Sequence, residues 1–264
     1  MCAQRKGVAF ITGATSGIGA AFAEEFATQG LDLVITGRRR EKIQALADEI
    51  AARRGVDVQV LIAELSDDEH LEMVVENARS ISNLDVLVNN AGFAQRGRFH
   101  ELERAAHKTM LDVHALATMR LTYAALPAMI SNGKGVIINV SSIAAFFPFA
   151  GNAMYSATKA FVNFLTEAIH LELRGTGVRV QALCPGLTRT DFHAKMGLDP
   201  KEVYREKGLW KAMTPPQVVE CSLRCLAKDQ VICVPGFKNQ FTSFLPRILP
   251  RSLVHKVILS MRED

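Results

Sequence analysis

Short runs of β-branched and aliphatic residues recur along the chain, separated by stretches whose apolar positions repeat with a helical period. Seven runs predict strands: Val8–Thr12, Leu31–Thr36, Val56–Ile62, Val86–Asn89, Val136–Val140, Val178–Leu183 and Val231–Val234. Several are almost continuously apolar, as strands covered on both faces should be. The helical stretches carry recognisable ends. Ser66-Asp67-Asp68-Glu69 reads as a capping box, Gly30 and Gly55 sit where helix C-caps belong, and Pro215 begins a helix continuing through Gln217–Lys228. Strand–helix alternation without a linker, repeat or low-complexity tract predicts one doubly wound α/β domain over residues 1–236, a parallel seven-stranded sheet with helices on both faces.

Two regions fall outside the alternation. Residues 187–213 have mixed polarity and little periodicity, which suits a substrate lid at the carboxyl edge of the sheet. Residues 237–264 predict an amphipathic extension broken at Pro246 and Pro250, with Phe241, Phe244, Leu245, Ile248, Leu249, Leu253, Val254 and Val257 among Lys238, Arg247, Arg251 and Lys256. The extension is expected to cover its own subunit or a neighbour; a membrane-surface helix is the alternative.

Composition narrows the class without naming an activity. With 264 residues, 48% hydrophobic and 22% charged, the chain is neither disordered nor fibrous. A net charge of +4 is too small and too dispersed to point to nucleic acid. Cys2, Cys184, Cys221, Cys225 and Cys233 form no CxxC pair and no zinc spacing; Cys221 and Cys225, one helical turn apart, read as small buried hydrophobes, and no metal is expected. An odd cysteine count and a start unlike a signal peptide favour a cytoplasmic protein. The 24 uncharged residues from Gly135 to Thr158 are interrupted by Asn139, Ser141, Ser142, Pro148 and Gly151, and predict a strand, a loop and a helix start rather than a membrane span.

The first strand runs into Thr12-Gly13-Ala14-Thr15-Ser16-Gly17-Ile18-Gly19 and then a helix. Glycines there allow a tight turn and bring backbone N–H groups at a helix N-terminus up to a pyrophosphate. The spacing, T-G-x-x-x-G-x-G, resembles the short-chain dehydrogenase/reductase family. The resemblance extends from about Lys6 to Gly236 through Asn89-Asn90-Ala91-Gly92 after the fourth strand, Tyr155-x-x-x-Lys159 after the fifth, and Pro185-Gly186-x-x-x-Thr190 after the sixth. It implies a Rossmann fold, homodimers or homotetramers, and oxidoreduction of a carbonyl–alcohol pair. By resemblance, Glu64-Leu65 falls beside the adenine, Asn90 and Gly92 line the adenosine side, and Thr188 and Thr190 fix the nicotinamide carboxamide.

At the end of the second strand, Thr36-Gly37-Arg38-Arg39-Arg40-Glu41 offers cations where an NAD site needs a carboxylate. Cations at a helix start oppose the macrodipole, so a bound anion explains them better than a solvated charge run does. The expectation is NADP(H), with Arg38 the main 2′-phosphate ligand.

Tyr155 and Lys159 share one helical face. An ammonium about 4 Å from a phenol contributes roughly 4 kcal/mol at an effective dielectric near 20. That lowers the phenol by up to roughly three pKa units, towards the range where acid–base catalysts work. The family resemblance makes Ser142 the partner of the substrate oxygen, Tyr155 the proton donor, and Lys159 a holder of the nicotinamide ribose. It also places an Asn where Leu111-Asp112-Val113 is followed by His114. A modified proton relay through His114 is expected, with a satisfied core histidine as the alternative. A non-catalytic NADPH-binding module is the rival reading, opposed by the presence of Ser142, Tyr155 and Lys159 together.

The surroundings of Ser142 (Ile143, Phe146, Phe147, Pro148, Phe149, Met154) and the lid (Phe192, Met196, Leu198, Trp210, Met213) are apolar. They favour a hydrophobic ketone, 3-oxoacyl or steroid-like substrate. Arg96, Arg98, Arg189 and Lys195 leave an acyl carrier thioester open.

Overall fold

The structure, a computed structural model, describes residues 6–194, 199 and 212–260. Met196, Leu198, Trp210 and Lys195, and with them most of the expected lid, lie outside the described residues, as does Cys2. Seven parallel strands form one sheet in the order β3-β2-β1-β4-β5-β6-β7. They are β1 (Val8–Ile11), β2 (Asp32–Gly37), β3 (Val58–Ile62), β4 (Leu84–Asn89), β5 (Gly135–Val140), β6 (Val178–Leu183) and β7 (Ile232–Cys233). All seven expected strands are present, with ends displaced by up to two residues. Helices α1 (Gly17–Thr28), α2 (Arg40–Arg54), α3 (Asp68–Ser80), α4 (Arg104–Leu111), α5 (Ala117–Ser131), α6 (Ala153–Glu172), α7 (Asp191–Ala194), α8 (Pro215–Ala227), α9 (Phe237–Ile248) and α10 (Arg251–Ser260) complete the fold.

Successive strand residues point to opposite faces, and both faces are dry. Ala9, Ile11, Leu33 and Ile35 pack with Phe22 and Phe26 of α1, Ile43 of α2 and Val218 of α8. Phe10, Val34 and Leu87 face the other way, onto Leu71 and Val74 of α3 and Leu121 and Met129 of α5. This two-sided burial is why the strands read as apolar runs rather than as alternating patterns. The chain reverses its direction of travel across the sheet between β1 and β4, and the crevice at their carboxyl ends is where ligands bind in folds of this type.

Local ends differ from expectation in two places. Asp67, not Ser66, caps α3, its carboxylate accepting from His70 N at 2.9 Å. The Ser66 N–H instead donates to Glu64 Oε1, which moves the helix start one residue on. Pro246 lies inside α9 and does not break it; the chain turns at Leu249, which is extended, just before Pro250. Other ends are as read: Gly55 is a left-handed C-cap with φ 66°, and Gln217 accepts from Thr214 N at 3.0 Å at the start of α8.

The uncharged stretch from Gly135 to Thr158 is β5, a loop with one turn of 3-10 helix, and the start of α6. Among the described residues, no helix is long and apolar enough to cross a membrane. Cys221 and Cys225 of α8 meet Cys233 of β7, the three sulfurs lying within 4.8 Å of one another. The third thiol comes from a separate element, so the spacing along α8 could not announce it. Burial pushes the Cys225 and Cys233 thiols up, which keeps them protonated and suits the packing role expected of Cys221 and Cys225.

Candidate active site

A cavity of about 1670 Å³ runs along the carboxyl edge of the sheet, from the Gly13–Gly19 turn past Ser142, Tyr155 and Lys159 to the inner sides of α9 and α10. That exceeds the roughly 300–1,000 Å³ of a pocket for one drug-sized ligand. It has room for a dinucleotide and a substrate together.

At one end the wall is backbone. Gly13 and Gly17 have φ of 66° and 62°, in the left-handed region that only glycine enters cheaply. A Cβ on Gly13 would sit 2.8 Å from Ala91 Cα, and one on Gly17 would sit 2.8 Å from Thr190 Cγ2. The turn is therefore packed against two of the other expected motifs, and it opens α1, whose first residues, Gly17 and Ile18, line the cavity. Thr12 Oγ1 accepts from the N–H groups of Asn90 and Ala91 at 2.9 and 3.0 Å. The Asn90 amide donates to the carbonyls of Thr12 and Gly13 at 2.9 and 3.0 Å. Asn90 lines the cavity as expected, but its side chain is committed to holding the glycine turn in shape.

The three arginines after β2 divide their work in a way the sequence does not show. Arg38 is paired with Glu64 at 2.7 Å. Burial alone would raise the Glu64 carboxyl, but the Arg38 guanidinium and the Ser66 N–H hold it below its usual value. Arg39 instead reaches back over the glycine turn, donating to Thr15 Oγ1 at 2.8 Å and Ser16 Oγ at 3.1 Å, and lies 3.7 Å from Asp191 of α7. The expected chief anion ligand, Arg38, thus shares its guanidinium with a carboxylate. The residue converging with Thr15 and Ser16 is Arg39, because Arg38 is held by a carboxylate of the adjoining β3–α3 loop. Leu65 and Gly92 line the same end. Ile18 does too, while Gly19 lies against Asn90, where a Cβ would come within 2.5 Å of its amide nitrogen.

At the centre, β5 delivers Ser142 and α6 delivers Tyr155 and Lys159. A clasp that sequence reasoning missed joins the two elements. Ser141 Oγ donates to Lys159 O at 3.0 Å, and Lys159 Nζ donates to Val140 O at 2.8 Å. The Ser142 hydroxyl caps the 3-10 turn, accepting from Ala144 N at 3.1 Å, and lies close enough to the Tyr155 phenol to favour its ionised form. Burial lowers Lys159 to about 8. Burial also raises the Tyr155 phenol, and the nearby Ser142 hydroxyl offsets this only in part. In the protein alone burial therefore dominates, and the expected lowering of Tyr155 by Lys159 is not seen. The ammonium lies 5.8 Å from the ring centroid, donates to the Val140 carbonyl, and is itself costly to keep charged.

His114 is 1% exposed and sits in a π-helical turn, Asp112–Leu116, between α4 and α5. Its Nε2 accepts from Phe93 N at 3.0 Å, and its Nδ1 meets Thr158 Oγ1 at 3.0 Å. Thr158 itself donates to Tyr155 O, so the histidine is the neutral Nδ1–H tautomer, donating to threonine. Burial and the Lys159 charge hold it well below its ordinary pKa. Both nitrogens are committed to protein partners, which leaves none to carry a proton through water. The geometry is that of the alternative reading, a satisfied core histidine that braces the loop after β4 against α6.

Behind it, Asn89 donates to Asn139 Oδ1 at 2.8 Å and to Thr122 Oγ1, and Asn139 donates to Thr166 Oγ1 at 2.9 Å. This buried ladder across β4 and β5 looks in sequence like scattered polar interruptions.

Pro185 and Gly186 lead from β6 along the cavity wall. Thr188 bridges to Met213 and donates to Gly186 O, and Thr190 Oγ1 accepts from Phe192 N at 3.2 Å. Gly186 leaves no space for a side chain because Asn239 of α9 stands where a Cβ would go. Asn239 donates in turn to Pro235 O at 2.6 Å.

Of the expected apolar wall, Ile143, Phe147, Phe149, Phe192 and Met213 line the cavity. Phe146 packs instead against Ala182 and Cys184, beneath the Arg247 guanidinium. Arg96 and Arg98 line the cavity, and so does Lys238. Leu245 of α9, Leu249 just after it, and Val254 and Ile258 of α10 supply a wall from the segment expected to be a covering extension.

Comparison with known proteins agrees with this geometry. The family described as short chain dehydrogenase matches residues 7–201. The chain is 39% identical over 186 residues to a sulfoacetaldehyde reductase of Chromohalobacter salexigens, covering 69% of this chain and 73% of that one. It is 32% identical to a very-long-chain 3-oxoacyl-CoA reductase of Anas platyrhynchos, over 97% of this chain and 80% of the relative. Among solved structures, a short-chain dehydrogenase from Sphingobium yanoikuyae in complex with NADPH superposes with a TM-score of 0.81 at 34% identity, covering 88% of each chain. The chain belongs to the short-chain dehydrogenase family and is an oxidoreductase of the alcohol–carbonyl type.

Proposed function

We propose that the protein is an NADP(H)-dependent reductase of bulky hydrophobic ketones or 3-oxoacyl compounds. The observation that carries this reading is one continuous cavity with a cationic, hydroxyl-bearing end at Thr15, Ser16 and Arg39, Ser142 and Tyr155 at its middle, and an apolar end closed by α9 and α10. The fit of a dinucleotide rests on the glycine cradle, which side chains at positions 13 and 17 would fill. Gly13–Gly19 would take the pyrophosphate, and Arg39 with Thr15 and Ser16 the 2′-phosphate. Glu64 and Leu65 would flank the adenine, Lys159 and Tyr155 the nicotinamide ribose, and Thr188 and Thr190 the carboxamide. The NADPH complex of the Sphingobium protein supports the same choice of cofactor.

When bound, NADPH supplies the hydride. The chain's own residues handle the oxygen. Ser142 donates a hydrogen bond to the carbonyl oxygen and the Tyr155 phenol gives it a proton. A phenol that burial keeps protonated is poised for reduction, and Ser142 limits the cost of the phenolate left behind. Lys159, anchored to Val140 O, holds a positive charge beside that phenolate.

The apolar wall of Phe147, Phe149, Phe192, Leu245 and Leu249 supports a large lipophilic substrate, and Arg96, Arg98 and Lys238 at the cavity support an anionic group on it. Exposed Tyr123 on α5 and Phe164 and Leu171 on α6 support a homo-oligomer. Free Cys184, Cys221, Cys225 and Cys233 support a reducing compartment such as the cytoplasm. NADPH and NADH titrations followed by fluorescence, then turnover of a ketone panel, test the reading. NADPH should bind at least about tenfold more tightly, the equivalent of one charge-assisted hydrogen bond. Equal affinities would remove the cofactor assignment.

A further inference from the structure

Two amphipathic helices close the apolar end of the cavity, and among the described residues their outward sides are exposed. On α9, Phe237, Phe241, Phe244 and Ile248 follow one another at intervals of four, three and four residues, which places them in a single stripe. They are 81%, 58%, 53% and 60% exposed. Phe237, at the N-terminal end of the stripe, also borders the cavity, whereas Asn239, Thr242 and Pro246, which line it, lie on the opposite side of the same helix. Single exposed apolar residues are ordinary, but a contiguous stripe of four is not. Exposed Lys238, at the cavity mouth, and Arg247, whose guanidinium lies over Phe146, stand at its two flanks by the helical period. On α10, exposed Leu253, Lys256 and Leu259 share one side, while Val254 and Ile258 face the cavity. Residues 237–260 contain Lys238, Arg247, Arg251 and Lys256 and no carboxylate.

We propose that the outer face of α9 and α10 docks on a bilayer surface rich in anionic phospholipid. An apolar stripe flanked by long cationic side chains lies in the interfacial plane, with the stripe among the acyl chains and the cations reaching the phosphates. A second copy of the chain fits less well. A twofold contact through this face would set the same cations against each other, with no acid in the segment to relieve them. The docking rests on the helices alone. On the reductase reading it has a consequence, because the inner faces of the docked helices are the cavity wall, so a lipophilic carbonyl compound would enter directly from the membrane.

The test is co-flotation of the full chain with vesicles of phosphatidylcholine, or of an equal mixture of phosphatidylcholine and phosphatidylglycerol. The chain should bind the mixed vesicles about tenfold or more over pure phosphatidylcholine. The Phe241→Ser/Phe244→Ser variant should lose about tenfold in binding, and Arg251→Glu/Lys256→Glu should lose the preference for the anionic lipid. The Phe241→Ser single variant serves if the double one does not fold. NADPH affinity and turnover of a water-soluble ketone, which these positions do not touch, report the reductase reading separately. Absence of binding to mixed vesicles overturns the proposal, as does unchanged binding of the phenylalanine variants. A phenylalanine variant that dissociates an oligomer while vesicles bind neither protein assigns the stripe to a second copy instead.

Discussion

The nucleotide end of the cavity is walled by backbone, and the substrate end by side chains. Around Gly13–Gly19 the shape is set by left-handed glycines and by Asn90 and Thr12, which spend their hydrogen bonds on holding main-chain groups in place. At the other end, Phe147, Phe149, Leu245 and Leu249 come from the loop after β5 and from α9 with its C-cap, elements about a hundred residues apart in sequence. A cofactor is constant, so its seat can be built from a turn that admits few alternatives. A substrate site built from side chains can change size without disturbing the sheet beneath it. Between the two ends stand Ser142, Tyr155 and Lys159, fastened by the Ser141–Lys159–Val140 clasp to β5.

The largest effect should come at that junction. Tyr155→Phe removes the proton donor and should lower turnover by about 10³-fold, within the range of general acid catalysis. NADPH affinity, measured by fluorescence, should change little. Loss of binding in step with turnover would mean that the hydroxyl builds the nucleotide end rather than acting on substrate.

Next in size is the nucleotide end itself. Arg39→Ala should weaken NADPH about 10- to 100-fold, the worth of hydrogen bonds to a charged group, and leave NADH nearly unchanged. Arg38→Ala should cost less, because Arg38 is already spent on Glu64. The reverse ranking would restore Arg38 as the phosphate ligand.

His114 sharpens the comparison through pH. Its folded pKa is depressed, so the unfolded chain binds the extra proton first, and stability falls as pH drops below the unfolded value. The contribution is complete above about pH 6.5 and is lost at up to about 1.4 kcal/mol per pH unit below it. Urea midpoints should show this slope in the native protein and a shallower one in His114→Asn. The pH profile of turnover near neutrality should not carry a histidine titration. A kinetic pKa near 6.5 that vanishes in the variant would revive the relay.

The smallest effect belongs to the substrate wall. Leu249→Ala should raise KM for a bulky ketone several-fold, since burying a side chain of this size is worth about 1.5–3 kcal/mol and only part of it is lost, while kcat and NADPH affinity hold. An equal fall in kcat would show that α9 positions the reacting centre as well as covering it.

The fold was legible because its strands are buried on both faces, so Val34, Val88 and Ile138 declare themselves without regard to partner. The glycine turn was legible because its conformation excludes other residues. What remained hidden depends on where side chains go after the backbone is set. Arg38 and Arg39 are adjacent and chemically alike, and only the presence of Glu64 on one side and Thr15 on the other separates them. His114 could not be assigned as a brace until the π-helical turn brought Phe93 and Thr158 to its two nitrogens. The tail's amphipathic pattern is visible in sequence, but not that its inner face forms part of the cavity, which follows from Gly186 and Asn239 bringing α9 against the loop after β6.

The most direct measurement is NADPH consumption by the purified protein with bulky ketones and 3-oxoacyl esters, with the alcohol product quantified alongside. The expected result is one alcohol formed per NADPH oxidised, with NADH at least about tenfold less effective at equal concentration. NADPH that binds tightly but is not oxidised in the presence of any carbonyl compound would contradict the account.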